Sequence, residues 1–142
     1  MNEYTFEQIQ VGHKEQFSRI ITKDMEDAFR EITGDNNPMH RDDNFAIEIG
    51  GGKYRGHVAF GMLTASLIST LGGMYLPGKY SLIHSVDKLS FRKPVYVGDV
   101  LTIAGEVKVK QDGLKLIIIG IKITNQNGKT VATAEMKNMV QR

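Results

Sequence analysis

Cysteine is absent from this 142-residue chain, and proline occurs only three times. Without cysteine the chain has no disulfides, thiolate nucleophiles or cysteine metal ligands, which is compatible with a reducing compartment. Residues 1–4 lack the basic start and apolar run of a signal peptide. The longest apolar stretch, about residues 58–71, is interrupted by Gly, Ser and Thr and is too short to span a bilayer. We therefore expect a soluble, cytoplasmic protein.

A strong charge of either sign is also lacking. The 18 basic and 16 acidic residues are interleaved and leave a net charge of +2. Because there is no basic stripe and aromatic residues make up only 8% of the chain, nucleic-acid binding has little support. The length suits one globular domain with a core and is too short for two ordinary ones. We expect a single domain over residues 1–142.

The first half of the chain carries one strand pattern and two helical patterns. Residues 15–21 predict a strand, and Thr22 is typical of a helix N-cap. The helix that follows should end at Gly34, and residues 42–49 predict a second, shorter helix. The face of the first helix expected to pack on the core carries Met25, Phe29 and Ile32 at i, i+4 and i+7.

A third helical pattern, over residues 58–74, is apolar around almost its whole circumference, which is typical of a buried helix. The strands that could surround it come later, with turn signals at Asp112-Gly113 and Asn127-Gly128. The sequence thus predicts an α+β fold, with one curled antiparallel sheet wrapped around a long central helix. The predicted strands are residues 81–91, 100–110, 114–124 and 130–140.

Asp35 and His40 lie five residues apart, just beyond the end of the first predicted helix. Pro38 fixes its own φ and favours an extended Asn37, so the intervening loop is stiffened. An imidazole can exchange a proton near neutral pH, and a carboxylate can orient a water molecule. On spacing alone, a helix-terminating turn in which Asp35 caps local N–H groups and His40 lies on the surface is the favoured interpretation, and the rest of the motif reverses this preference.

The segment around this pair resembles the MaoC-like family of (R)-specific enoyl-CoA hydratases, through the pattern Gly34-Asp35-x-Asn37-Pro38-Met39-His40. The similarity continues in order over roughly residues 10–140. It includes the run Phe60-Gly61-Met62-Leu63-Thr64-Ala65-Ser66-Leu67-Ile68-Ser69 and the segment 89–99.

This resemblance implies a hot-dog dimer that reversibly adds water to a trans-2-enoyl thioester and gives the (R)-3-hydroxyacyl thioester. Asp35 and His40 would hold and activate the water, and the Gly61 N–H would face the thioester carbonyl. Asn37 and Ser69 would support substrate binding. No metal or cofactor is implied, and the partner would be acyl-CoA or an acyl-carrier-protein thioester.

Phe60 departs from the family pattern, because many members have histidine before the helix glycine. The Gly50-Gly51-Gly52 stretch also looks longer than usual. Two alternatives remain open: a non-catalytic acyl-CoA-binding protein and a hot-dog thioesterase. Residues 58–71 contain no Asp or Glu, whereas such thioesterases usually carry an acid there. Lys79, Arg92 and Lys93 are candidates for contacting CoA phosphates, and His57 is expected in a loop.

Overall fold

The alternating apolar residues of the second half form the sheet that they predict. The computed structural model describes all 142 residues. Its five strands are all antiparallel and follow the order β1-β3-β4-β5-β2 across the sheet. Their bounds are β1 Lys14–Ile20, β2 Ser81–Phe91, β3 Val100–Gln111, β4 Leu116–Thr124 and β5 Thr130–Val140.

Three α-helices precede the large run of strands: α1 Lys23–Thr33, α2 Asp43–Ile49 and α3 Gly61–Thr70. Short 3-10 turns occupy Phe6–Gln8, Pro38–His40 and Asp112–Leu114, and one π turn, Leu71–Tyr75, extends α3. The 3-10 turn at Asp112 and the hairpin at Gly128, whose φ is +70°, fall at the two turn signals of the sequence. No helix is both long enough and apolar enough to cross a membrane.

The core lies between α3 and one face of the sheet. The four isoleucines of β4 at alternating positions, Ile117, Ile119, Ile121 and Ile123, are all buried. Leu67, Ile68 and Leu71 from α3 and the following π turn belong to the same buried cluster. This confirms the curled sheet around a central helix, with alternate side chains of each strand directed inward.

Three details of the sequence prediction were wrong. Val109 does not share the buried face of β3, because a bulge between Val107 and Val109 shifts the register. The central helix begins at Gly61 rather than at residue 58, and Met62 on its first turn is 57% exposed. Ile32, near the end of α1, is 82% exposed, whereas Met25 and Phe29 on the same predicted face pack against the core, and Glu26 is buried beside them.

Candidate active site

The loop between α1 and α2 is held by a series of short hydrogen bonds. Gly34 ends α1 with φ +71°, and its N–H donates to the Arg30 carbonyl over 2.8 Å. Asp35 Oδ1 accepts from the Asn37 N–H at 3.0 Å, and Asn37 Oδ1 accepts from the Met39 N–H at 2.9 Å. Both side chains therefore form local Asx turns, which fix the backbone leading into His40.

His40 is oriented by a backbone carbonyl from another segment. Its Nδ1 lies 2.7 Å from the Val58 oxygen, eighteen residues later in the chain. A carbonyl oxygen only accepts, so Nδ1 carries the proton of this bond and Nε2 is left as the basic nitrogen of the neutral ring. The His40 carbonyl is itself held by Arg30 Nη2 at 3.1 Å. The imidazole is half-buried and fixed in a tautomer suited to a general base.

Phe60 packs directly against the His40 ring. Their ring centroids are 4.4 Å apart and their planes are tilted by 36°. Phe60 is buried and also contacts Phe29, with centroids 5.2 Å apart. The residue that departs from the family pattern thus forms part of the apolar support of the imidazole.

Helix α3 begins with backbone N–H groups that donate to no acceptor in the chain. Phe60 is its N-cap and has no side-chain acceptor, in contrast to Ser, Thr, Asn or Asp. The first N–H bonds of this turn come from Leu63 and Thr64, both to the Phe60 carbonyl, so the Gly61 N–H is unpaired. A Cβ on Gly61 would lie 3.1 Å from the Phe91 ring, and the glycine therefore keeps a narrow approach open.

His40 and Gly61 line the same cavity, of about 400 Å³. Thr64, one turn after Gly61, lines it as well; its side chain is buried and its Oγ1 has no hydrogen-bond partner. Part of the cavity wall comes from the end of β2 and the segment after it. The remaining lining residues are Lys53, Tyr54, Val58, Ala59, Phe91, Arg92, Lys93, Pro94, Val95 and Val131.

A larger depression, of about 950 Å³, lies on the outer face of the sheet and is lined partly by Glu106, Lys108 and Lys122. None of the motif residues lines this depression. Its charged side chains come from strand positions that alternate with the buried, core-facing positions. The cavity beside His40 is therefore the better candidate for the reaction.

The other predicted site residues lie outside this lining. Asp35 and Asn37 are exposed on the loop that leads to His40, and Asp35 Oδ2 makes no hydrogen bond. Ser69 is exposed on the last turn of α3, and its hydroxyl makes no hydrogen bond. The structure thus brings His40 and Gly61 together, while Ser69 lies two turns further along the helix.

Sequence analysis missed the surroundings of His57, which lies in the extended segment before α3. Its Nδ1 and backbone N–H both contact Asp43 Oδ1, at 2.5 and 2.9 Å, and its Nε2 lies 3.2 Å from Glu26 Oε2. Burial alone would lower the pKa of His57, but the two carboxylates outweigh it and raise that pKa above 6.5. The backbone and side-chain hydrogen bonds from His57 lower the pKa of Asp43. No signal in the sequence pointed to this cluster, because the burial of Glu26 is visible only in the structure.

The curled sheet around a central helix is the architecture of a hot-dog protein. One cavity of this fold is lined by a basic imidazole nitrogen and an unpaired backbone N–H, which equip it for proton transfer beside a carbonyl group. The chain belongs to the MaoC-like domain family, whose pattern matches residues 6–129.

Named relatives agree with this assignment. The chain is 35% identical to an (R)-specific enoyl-CoA hydratase of Aeromonas caviae over 127 residues, which cover 89% of this chain and 92% of the relative. It is 37% identical over 102 residues to a 3-hydroxybutyryl-CoA dehydratase of Methylorubrum extorquens, covering 72% of this chain and 62% of that protein.

Solved structures confirm the hot-dog fold. An (R)-hydratase from A. caviae involved in PHA biosynthesis superimposes with a TM-score of 0.84 at 32% identity, covering 93% of this chain and 97% of that one. An unliganded R-hydratase from Pseudomonas aeruginosa gives a TM-score of 0.85 at 29% identity, with 96% of this chain and 84% of that one covered.

Proposed function

We propose that this protein is a hydro-lyase that reversibly hydrates trans-2-enoyl thioesters to (R)-3-hydroxyacyl thioesters. The observation that carries the proposal is the Nδ1 bond of His40 to the Val58 carbonyl, which leaves a basic Nε2 in the cavity that Gly61 also lines. The names of the A. caviae and M. extorquens relatives support the same substrate class and the same reaction.

The reaction divides between these groups as follows. Water loses a proton to His40 Nε2 while its oxygen bonds to C3 of the enoyl group. Asp35, which lies on the loop outside the cavity lining and whose Oδ2 makes no hydrogen bond in the chain, would orient that water from the side of the loop. The C2–C3 π electrons move toward the thioester carbonyl, whose oxygen gains negative charge and accepts from the Gly61 N–H. The enolate then takes at C2 the proton that His40 Nε2 received from the water, which returns the imidazole to its neutral form and completes the addition of one water. No cofactor takes part in these steps, and its absence stays a prediction.

The thioester partner would enter past a basic rim. Lys53, Arg92 and Lys93 line the cavity and are exposed, which suits the phosphates of CoA. Lys79, the other cation considered from the sequence, lies outside the lining and pairs with Glu3 at 3.2 Å. An acyl-carrier-protein thioester stays an alternative, because a plant mitochondrial relative, from Arabidopsis thaliana, is named as a 3-hydroxyacyl-[acyl-carrier-protein] dehydratase.

A homodimer formed along β2 is part of the proposal. This strand is at the edge of the sheet, and its outward positions Leu82 and Val86 are 54% and 41% exposed. Unpaired strand edges with apolar side chains favour pairing with a second chain. The cytoplasmic location and the single-domain organisation stay predictions of the sequence.

The proposed reaction is tested with crotonyl-CoA, by loss of the conjugated enoyl-thioester absorbance and by the chirality of the product. Asp35→Asn and His40→Ala should each lower kcat by about a hundredfold or more, as expected for groups that act on a transferred proton. Asp24→Asn and His13→Ala, which remove the same groups elsewhere on the surface, are the matched controls.

Two other outcomes identify the alternatives. If the wild type binds acyl-CoA but is inert toward crotonyl-CoA and longer enoyl-CoAs, the protein is a binder. Release of free CoA thiol in place of hydration identifies a thioesterase, although α3 contains no acid to activate water for that reaction.

A further inference from the structure

His57 joins three parts of the chain that surround His40. Glu26 belongs to α1, Asp43 belongs to α2, and His57 lies in the segment that leads into α3. Both ring nitrogens face carboxylate oxygens, at 2.5 Å for Asp43 and 3.2 Å for Glu26. Carboxylates only accept hydrogen bonds, so the ring donates at both nitrogens and carries a positive charge. Glu26 is 2% exposed, and a buried carboxylate needs such a partner.

The next residue, Val58, supplies the carbonyl that holds His40. The Val58 N–H donates to the Met39 carbonyl at 3.0 Å, and the Val58 oxygen lies 2.7 Å from His40 Nδ1. The peptide unit that contains this carbonyl is held on its C-terminal side by the Ala59 N–H, which donates to the Val95 carbonyl at 2.7 Å. On the N-terminal side, the fixing contacts are those of His57, whose own N–H is bonded to Asp43.

We propose that His57 is a positioning residue, which acts through the Val58 carbonyl to hold His40 in the tautomer with the proton on Nδ1. This inference rests on the proposed function for its effect on catalysis, but the tautomer is a property of the resting protein. Without the imidazole of His57, the segment would lose its tie to Glu26 on α1 and the ring contact with Asp43 on α2, and would keep only the backbone N–H bond to Asp43. His40 would then exchange the Val58 bond for water in part of the molecules. The Nε2–H tautomer, which cannot accept a proton from water at that nitrogen, would then become populated.

The direct test is nitrogen NMR of the four histidines in 15N-labelled protein at a pH where His40 is neutral. In the wild type we expect His40 with a protonated Nδ1 and a bare Nε2, and His57 with both nitrogens protonated. In His57→Ala, His40 should become a mixture of tautomers. His13→Ala, which removes an imidazole lying 3.5 Å from the Glu15 carboxylate, should leave the His40 signals unchanged.

Kinetics on the same variants measure the consequence. We expect kcat of His57→Ala to fall by about tenfold to a hundredfold, the size typical of partners that orient a functional histidine, with KM changed by less than about twofold. His57→Asn can still donate to Asp43 from its amide and should recover part of the loss. If His57→Ala does not fold, His57→Asn decides the test, because it loses the contact with Glu26 and should show a partial tautomer shift.

An unchanged Nδ1–H tautomer of His40 in the folded His57 variants overturns the inference, whatever happens to kcat. A wild type that is inert toward all enoyl thioesters contradicts the proposed function instead, and leaves the tautomer result valid. The two failures are therefore distinguishable.

Discussion

Phe60 illustrates what single residues add to this site beyond the motif. Its ring lies 4.4 Å from that of His40, and its carbonyl accepts from the Leu63 and Thr64 N–H groups at the start of α3, where the Gly61 N–H is unpaired. His40 and Gly61 come from two separate segments, which the resemblance to the family assigned to one site, and both line the same cavity. The sequence pattern could not assign a purpose to Phe60, since a buried aromatic residue is equally compatible with ordinary core packing.

Gly61→Ala should separate activity from stability. Alanine is a better helix former than glycine, by up to about 1 kcal/mol. However, its Cβ would lie 3.1–3.3 Å from the Phe91 ring and beside the unpaired N–H. Alanine keeps the N–H, but its methyl group would hold the thioester carbonyl away from this donor. We expect kcat/KM to fall at least about tenfold, since one oxyanion donor is typically worth more than that, while the thermal midpoint changes little. Full activity in this variant would contradict a close approach of the substrate to the backbone at Gly61.

Thr64→Val tests a residue that sequence analysis did not select. The hydroxyl is buried without a partner, which costs free energy in the unliganded protein. Valine has nearly the same shape, so we expect the free energy of unfolding to stay equal or rise by about 1 kcal/mol. If the hydroxyl bonds to bound substrate or water, kcat/KM falls by about tenfold, equivalent to one hydrogen bond. Ser66→Ala is the control, because Ser66 already donates to the Leu63 carbonyl at 2.6 Å.

At the scale of elements, α1 is the helix whose inward face was predicted only in part, since Met25 and Phe29 pack against the core. Its apolar spacing placed Ile32 inward, but the inward face carries Glu26 and Arg30, which reach His57 and the His40 carbonyl. Periodicity arguments count apolar residues as inward and polar ones as outward. They fail where a helix supplies polar groups to a site, and α1 is such a helix.

The contacts between α1, α2 and His57 should make stability depend on pH. The pKa of His57 is raised in the folded protein. The contribution of His57 to the free energy of unfolding is therefore fully present below about pH 6.5 and is lost as pH rises through the higher pKa of the folded state. The pKa of Asp43 is lowered in the folded protein. The contribution of Asp43 to the free energy of unfolding is therefore present above about pH 3.8 and is lost as pH falls through the lower pKa of the folded state.

Urea unfolding at a series of pH values measures this effect. The midpoint difference between the wild type and His57→Gln should shrink as pH rises from 6 toward 9. His13→Gln should follow the wild type over the same range. A difference that stays constant with pH would mean that His57 is not charged in the folded protein.

At the scale of the whole molecule, the sequence predicted the architecture almost completely. The alternating strands and the all-round apolar helix each have one stable arrangement, in which the sheet covers the helix. The register shift after Val107 was not predictable, because a bulge leaves no fixed residue pattern. Neither could the sequence pattern alone identify which edge of the sheet is unpaired, since that depends on strand order.

The edge position of β2 leads to a prediction about assembly. The sheet pairs β2 only with β5, while Leu82 and Val86 project from it to solvent. Phe91, at the end of the same strand, lines the cavity and is also exposed, so a second chain along β2 would support the cavity wall. We expect a mass near twice 15.9 kDa by light scattering or sedimentation.

The double variant Leu82→Lys, Val86→Lys should be monomeric, because lysine on an edge strand opposes pairing with another chain. Ile20→Lys places the same charge at an exposed apolar position on β1, the opposite edge, and should stay dimeric. The monomeric variant should also lose hydration activity, since Phe91 and the residues after it would lose their cover while His40 and Val58 stay in place. A monomeric wild type would move the interface away from β2, and a monomeric double variant with full activity would show that one chain completes the site alone.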